Sequence, residues 1–547
     1  MKKFISILSA VLCAALFVTA FAACKPKDIK DWENNELYSD SNPYYKDYYQ
    51  VFIYGFADSN GDGVGDLKGV EQKLDYIADL GFTGIWLSPI HPSPTAHKYD
   101  VTNYLAVDEQ FGTLADFESL VTAAHAKGIS VMLDMVFNHT SNHHPWFEAA
   151  QQSFSSNTQS KYRNYYMFTD SQGSSYETFG GYSHMPKLNL DNSDVRAEID
   201  AICKFWLQDY DVDGFRLDAA LHYYGNVSQN VAFMQWLMTT ARKYNENVYM
   251  VGEVWDNANS VYAHYADNSV QSFFNFATST ADGGNQIPVI VGDTVTDKAG
   301  ELKTVVEAKE NGTAKGIDAL FASNHDTLRV SNSAALGYVS RRTNEFETAR
   351  FERHKMGIAL LYTQAGNVFN YYGNEIGMRS GLRMSTSDDY LDHTYRTAMD
   401  WGNDCEISHE NGFAYKSYGN STLYGEYDDY IGGVAEQIND QNSLYNFYRR
   451  IMLLRRQNPE IARGKSTFVA YNDSDVALIV RTYNGKSVLL AYNLNSSESK
   501  TVNIAQIISD NNLQGVLAGF LSSDNGRDVT LSKTALKLPQ FSMAVVR

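Results

Sequence analysis

The chain has 547 residues, of which 44% are hydrophobic and 20% charged, a balance that excludes a disordered or fibrous protein and describes an ordinary globular one. Its formal charge of −19, becoming −21 once Lys2 and Lys3 leave with a leader, argues against nucleic acid as a partner and leaves neutral or cationic ones. The length exceeds a single core and predicts about two to four domains.

Lys2 and Lys3 precede an apolar run from Phe4 to Ala23, which has the pattern of a targeting segment. Two processing sites compete. Ala20-Phe21-Ala22 fits a signal-peptidase site, whereas Ala22-Ala23-Cys24 resembles a bacterial lipobox with Phe21 where Leu is usual. The polar stretch after Cys24 favours lipid attachment there, so the expected location is the outer face of a bacterial membrane through a lipid anchor, with simple secretion as the alternative. Residues 24–47 then form a polar tether. Of the remaining cysteines, Cys203 sits in a helical apolar pattern and is expected to be a buried free thiol, and Cys405 completes no metal-type spacing.

The first strand is predicted within residues 48–56, followed by a helix carrying Leu67, Val70, Leu74 and Ile77 and ending at Gly81. Between them, Asp58, Asn60, Asp62 and Asp66 occupy positions 1, 3, 5 and 9 of an EF-hand-like loop. The Val64 carbonyl stands at position 7 and Gly63 at the sharp turn. Oxygen side chains in this spacing predict a bound Ca2+. Gly69 stands where a sensor loop has Glu, which favours a static structural ion.

A second strand is predicted at residues 83–89, a second helix through Leu114, Phe117, Val121 and Ala124, and a third strand at 130–134. An excursion from His139 to Leu190, rich in Ser, Asn, Gly, Tyr and His, lacks strong periodicity and is too long for a plain connection. Helical spacing resumes at Val195, Ile199, Ile202 and Trp206. Strand–helix alternation then runs to a strand at 367–373 and a last helix over 443–456. Beyond about residue 462, VALIVRTY and SVLLAYNL alternate like antiparallel strands.

Acids stand where several of the apolar runs stop: Asp134, Asp218, Glu253 and Asp326. Asp218 and Glu253 are 35 residues apart, and Glu253 and Asp326 are 73 apart, room for about one and two strand–helix units. In a (β/α)8 barrel all strand C-termini open on one face, so these acids would line one pocket.

The motifs make a resemblance specific. DMVFNH (134–139), GFRLDAALH (214–222), GEVW (252–255) and FASNHD (321–326), with GFTGIWLSPI (81–90), MPKLNL (185–190) and YYGNEIGM (371–378), appear in the order found in the α-amylase family of glycoside hydrolases, glycoside hydrolase family 13. The chain looks most like the subgroup between oligo-1,6-glucosidases and neopullulanases, which includes lipoprotein amylases. The resemblance implies a (β/α)8 TIM barrel (48–138 and 191–460) with an excursion domain after the third strand (139–190) and a C-terminal antiparallel β-sandwich (461–547), after a signal peptide (1–23) and a tether (24–47).

It also implies residue roles. Asp218 is expected as nucleophile, Glu253 as acid/base, and Asp326 as the carboxylate that binds sugar hydroxyls. Arg216 is expected beside Asp218, holding it ionised, while neighbouring anions raise the pKa of Glu253. His139, His325, Tyr99 and Asp100 are the expected substrate contacts. Trp255 and Tyr223 are open between sugar contact and core packing.

The expected activity is a retaining hydrolysis of α-1,4 bonds in starch-derived maltooligosaccharides through a covalent intermediate. The alternatives are an α-1,6-active or transglycosylating glucosidase and a non-catalytic surface glucan-binding lipoprotein. A monomer is expected, with an α-glucan or maltooligosaccharide partner, no nucleic acid, and membrane contact only through a lipid. Leu221, Lys187 and Ala219 depart from common family residues and leave linkage preference open.

Overall fold

The computed structural model describes residues 31–38, 42–279, 286–292, 294–332, 344–380, 395–402, 432–523 and 527–547. The leader, Cys24 and Cys405 lie outside the described residues. Eight strands, β1 (Tyr48–Val51), β2 (Gly84–Leu87), β3 (Ser130–Met135), β4 (Gly214–Leu217), β5 (Tyr249–Gly252), β6 (Ser272–Phe274), β7 (Ile317–Phe321) and β8 (Asn367–Tyr371), pair in parallel in chain order, and β8 closes on β1. The expected barrel is therefore observed.

Each strand is buried on both faces, which is why it reads as a continuous apolar run. Alternate residues fill two compartments. Tyr48, Trp86, Met132, Tyr249, Val251, Phe274, Ala319, Phe321 and Phe369 pack inside the barrel, with the rings of Tyr48 and Phe369 stacked at 4.9 Å. Tyr49, Val51, Ile85, Leu87, Phe215 and Leu217 belong to the larger core outside it. The inner aromatic layer forms a floor, and the side chains above it, Gln50, Asp134, Arg216 and Glu253, are the polar ones. Gly214 permits the strands to close here, since a Cβ at that position would lie 2.1 Å from the Tyr249 carbonyl oxygen.

The predicted first helix is two pieces, Leu67–Gln72 and Leu74–Leu80, broken at Lys73 and ended by Gly81 at φ 96°. The helix Leu114–Ala126 begins with a reciprocal capping box between Thr113 and Asp116. The excursion after β3 contains a helix, Pro145–Ser155, and isolated bridges pairing His139 with Lys187 and Tyr166 with Leu188. Cys203 is buried and free, as expected. Beyond the helix Leu444–Gln457 lie a five-stranded sheet, ordered β13 (Leu517–Ser522), β16 (Ser542–Val546), β11 (Lys486–Asn493), β10 (Val476–Tyr483) and β9 (Lys465–Val469), and a three-stranded sheet, ordered β12 (Lys500–Asn503), β15 (Ala535–Leu538) and β14 (Thr530–Ser532). All their pairings are antiparallel.

The stretch expected as a polar tether is partly folded. Trp32 is buried against Phe520, Glu33 pairs with Arg450 at 3.2 Å, and the Tyr38 amide donates to the Arg456 carbonyl. Among the described residues no helix is long and apolar enough to cross a membrane.

Candidate active site

The C-terminal ends of β3, β4 and β5 converge on one guanidinium. Arg216, 1% exposed, places Nη1 at 2.8 Å from both Asp134 Oδ1 and Asp218 Oδ1, and Nη2 at 2.7 Å from Glu253 Oε1. Register explains the convergence: Asp134 on β3 faces Arg216 on β4, and Asp218 and Glu253 follow the ends of β4 and β5. Asp218 and Glu253 are thereby held close together, as a double-displacement site requires. Just past Asp218, Ala219 takes a left-handed conformation at φ 49° and turns its N–H to Glu253 Oε2 at 3.1 Å. A non-glycine residue in this region is uncommon and marks local strain over-determined by its surroundings.

Three carboxylates around one guanidinium cannot all be cheaply ionised, and the cluster titrates as a unit. For Asp218 the net direction is upward, well above the ordinary carboxylate range. Burial is the largest cause, Arg216 opposes it, and Glu253 and Asp134 add to it. This corrects the expectation that Arg216 lowers the Asp218 pKa: one guanidinium shared among three acids does not outweigh desolvation. Asp134 is also raised by burial against the pull of Arg216.

Asp326 joins from the loop after β7. Its Oδ1 accepts from Arg396 Nη2 at 2.6 Å and its Oδ2 lies 3.0 Å from His325 Nε2. Burial would raise its pKa, but His325 and Arg396 hold it well below the usual range. Tyr99 ties the two halves together, donating to Asp134 Oδ2 at 3.0 Å, contacting His325 Nε2 at 2.5 Å and stacking on the His325 ring at 5.5 Å. The three sequence-selected acids thus border one polar cluster.

The other expected contacts divide. His139 is fully buried, stacks on Phe179 at 4.8 Å, and is pushed by burial down to about 3, so it is neutral. Asp100 is 1% exposed and accepts from the Ser93 and Thr95 hydroxyls, which fix the loop carrying Tyr99. Tyr223 is buried with its ring edge on Phe233, a packing role. Trp255, two residues after Glu253, is 42% exposed and stacked on Phe276 at 5.0 Å. Sequence reasoning did not single out Gln50, Trp86 or Arg396. Gln50 meets His325 Nδ1 at 2.7 Å, Trp86 Nε1 donates to Asp134 Oδ2, and Arg396 stands 70 positions from Asp326. No local spacing signals such pairs.

The metal-binding reading of the 58–66 loop is corrected. Asp58 Oδ1 accepts from the amides of Asn60 and Gly61 and its Oδ2 from Gly63. Asp62 Oδ1 accepts from Val64, and Asp66 caps the following helix through Gly69 while also accepting from Ser59. Asn60 Oδ1 accepts from the Asp62 amide. Among the described residues no group of three or more His, Cys, Asp or Glu side chains could hold a metal ion. The side-chain oxygens of the loop accept from backbone N–H groups, which is the chemistry of an Asx-rich turn.

Comparison with known proteins agrees with this geometry. The family model for the α-amylase catalytic domain matches residues 50–464. α-Amylase 3 of Dictyoglomus thermophilum is 33% identical over 84% of this chain and 87% of that one. An oligo-1,6-glucosidase of Parageobacillus thermoglucosidasius is 28% identical over 81% of this chain and 89% of its own length. The solved structure of Eubacterium rectale Amy13B superposes with a TM-score of 0.81 at 33% identity, covering 96% of this chain and 99% of that one.

Proposed function

The chain belongs to the α-amylase family of glycoside hydrolases, retaining enzymes of glucan linkages, and on that premise we propose that it is a glucosidase of short α-glucans that accepts α-1,6 bonds and transfers glucosyl units to sugar hydroxyls as well as to water. The observation that carries this reading is the depth of the site. Asp218 and Glu253 are only 7% and 8% exposed, as suits a pocket that takes a chain end more than an open cleft that takes a chain middle. Likeness to an oligo-1,6-glucosidase over most of both chains supports it.

In this reading Asp218 attacks the anomeric carbon while Glu253 protonates the departing glycosidic oxygen, and the sugar becomes covalently bound to Asp218. Glu253, now ionised, takes a proton from the incoming water or sugar hydroxyl, whose oxygen displaces Asp218. Arg216 orients both carboxylates through separate nitrogens, and Asp326 accepts hydrogen bonds from the sugar ring. The exposed face of Trp255 offers the leaving and accepting sugars an apolar surface, which favours a sugar over water in the second step. Work outside the cell, through a lipid on Cys24, is part of this proposal and follows from the leader pattern.

A second reading, cleavage of internal α-1,4 bonds, is favoured by likeness to α-amylase 3. Incubation with panose, isomaltotriose and maltoheptaose, followed by product chromatography, separates the two. Glucose release from panose, with longer products at high substrate, is the expected result. Mid-chain cleavage of maltoheptaose with panose untouched would replace it by the second reading, and binding without any cleavage would leave only a glucan-binding protein.

A further inference from the structure

We propose that Gln50 is a positioning residue that sets the tautomer of His325 and through it the orientation of Asp326, an inference that rests on the glucosidase reading above. Gln50 is 1% exposed on β1, and its Nε2 lies 2.7 Å from His325 Nδ1. His325 is fully buried, and its other nitrogen, Nε2, faces two oxygens, Asp326 Oδ2 at 3.0 Å and Tyr99 Oη at 2.5 Å.

Donor counting fixes the direction of the chain. Tyr99 gives its hydroxyl proton to Asp134 Oδ2 and therefore accepts from His325. In the neutral ring the single N–H is on Nε2, because a lone pair there would point at the Asp326 carboxylate. Nδ1 is then an acceptor and needs a donor, which the Gln50 amide supplies. The result is a one-way chain: Gln50 N–H to Nδ1, and Nε2–H to Asp326 and Tyr99.

The ring has little freedom to answer otherwise. Phe52 stacks on one side with centroids 6.4 Å apart, Tyr99 stacks at 5.5 Å, and the Trp86 edge stands at 5.8 Å. The charged and titratable groups facing it are Asp326 and Arg396, Tyr99, and beyond Tyr99 the Asp134–Arg216 pair. Arg396 Nε also donates to the His325 carbonyl, so backbone and ring are both held. Gln50 is the one neutral donor on the Nδ1 side among these contacts.

Gln50→Glu tests this without changing shape. A carboxylate can only accept, so Nδ1 must carry a proton. The neutral ring then turns its Nε2 lone pair towards Asp326. At neutral pH kcat is expected to fall by about 10-fold or more, the scale of one hydrogen bond to a charged group, with a smaller change in KM. Lowering the pH restores Nε2–H, so the optimum of the variant moves to acid. Unchanged kcat and an unshifted pH profile in Gln50→Glu would overturn the proposal. Nitrogen NMR of the histidine-labelled wild type tests it even if the variant does not fold: a neutral His325 protonated at Nε2 is expected, and protonation at Nδ1 would refute it. Failure of the wild type on every α-glucoside would instead refute the glucosidase reading, leaving the NMR result to stand on its own.

Discussion

Arg216 and Asp218 lie two residues apart and on the same side of β4, with Nη1 2.8 Å from Oδ1, while the second terminal nitrogen of the same guanidinium is committed to Glu253. A lysine cannot reproduce that fork. Arg216→Lys is therefore expected to lower kcat/KM by about 100-fold or more, because two carboxylates lose their shared orientation. Arg216→Met strands three buried carboxylates and is expected to destabilise the fold by about 3–5 kcal/mol, read by denaturant unfolding. Near-normal turnover in the lysine variant would show that the fork does not organise the site.

Asp218→Asn is expected to abolish turnover and raise Tm at pH 7. Burial lifts the folded pKa of Asp218 above its unfolded value. Stability from this group is thus complete below the unfolded pKa and is lost as pH rises through the folded one. The amide escapes that loss. The Tm difference between variant and wild type should shrink as pH falls towards 4, and a difference that grows on acidification would contradict the assignment.

Three buried histidines act with the opposite sign. Burial pushes His91 down to about 4 and His139 and His144 to about 3. They stay neutral in the fold but take up protons when unfolded, so their stabilisation is present above about pH 6.5 and is lost as pH falls. At pH 5 each contributes a slope of about 1.4 kcal/mol per pH unit. His144 caps the helix Pro145–Ser155 by accepting from the Trp146 amide, a task Asn also performs. His144→Asn should fold normally and lose stability less steeply between pH 6.5 and 5 than the wild type. Equal slopes would count against a buried neutral His144.

Trp255→Ala is expected to leave the hydrolysis of an aryl glucoside within about 3-fold, while cutting the yield of transfer products, because its exposed face is the surface proposed for the acceptor sugar and its ring stacks on Phe276 alongside. An unchanged ratio of transfer to hydrolysis would remove Trp255 from the acceptor site.

The barrel and its acids were legible because the strands are apolar runs buried on both faces, and β3, β4, β5 and β7 carry an acid at or after their C-terminal ends, a local pattern. Gln50–His325 and Arg396–Asp326 were not, since the partners are distant in sequence and only barrel closure joins them. The loop at 58–66 misled for a physical reason: Asp and Asn at alternate positions serve equally to bind a cation and to cap their own backbone, and here they do the second. Trp32 was hidden within a predominantly polar stretch, where nothing local marks it as the side chain that docks on Phe520. The direction of the Asp218 shift depends first on its burial and then on the acids that share Arg216, neither of which two neighbouring residues reveal.

The most direct measurement is covalent trapping with a fluorinated α-glucosyl fluoride, followed by mass mapping of the labelled peptide. The account predicts one glucosyl adduct, on the peptide containing Asp218, formed in the wild type and absent from Asp218→Asn. An adduct on Glu253 or Asp326, or retained in the Asn variant, would contradict it.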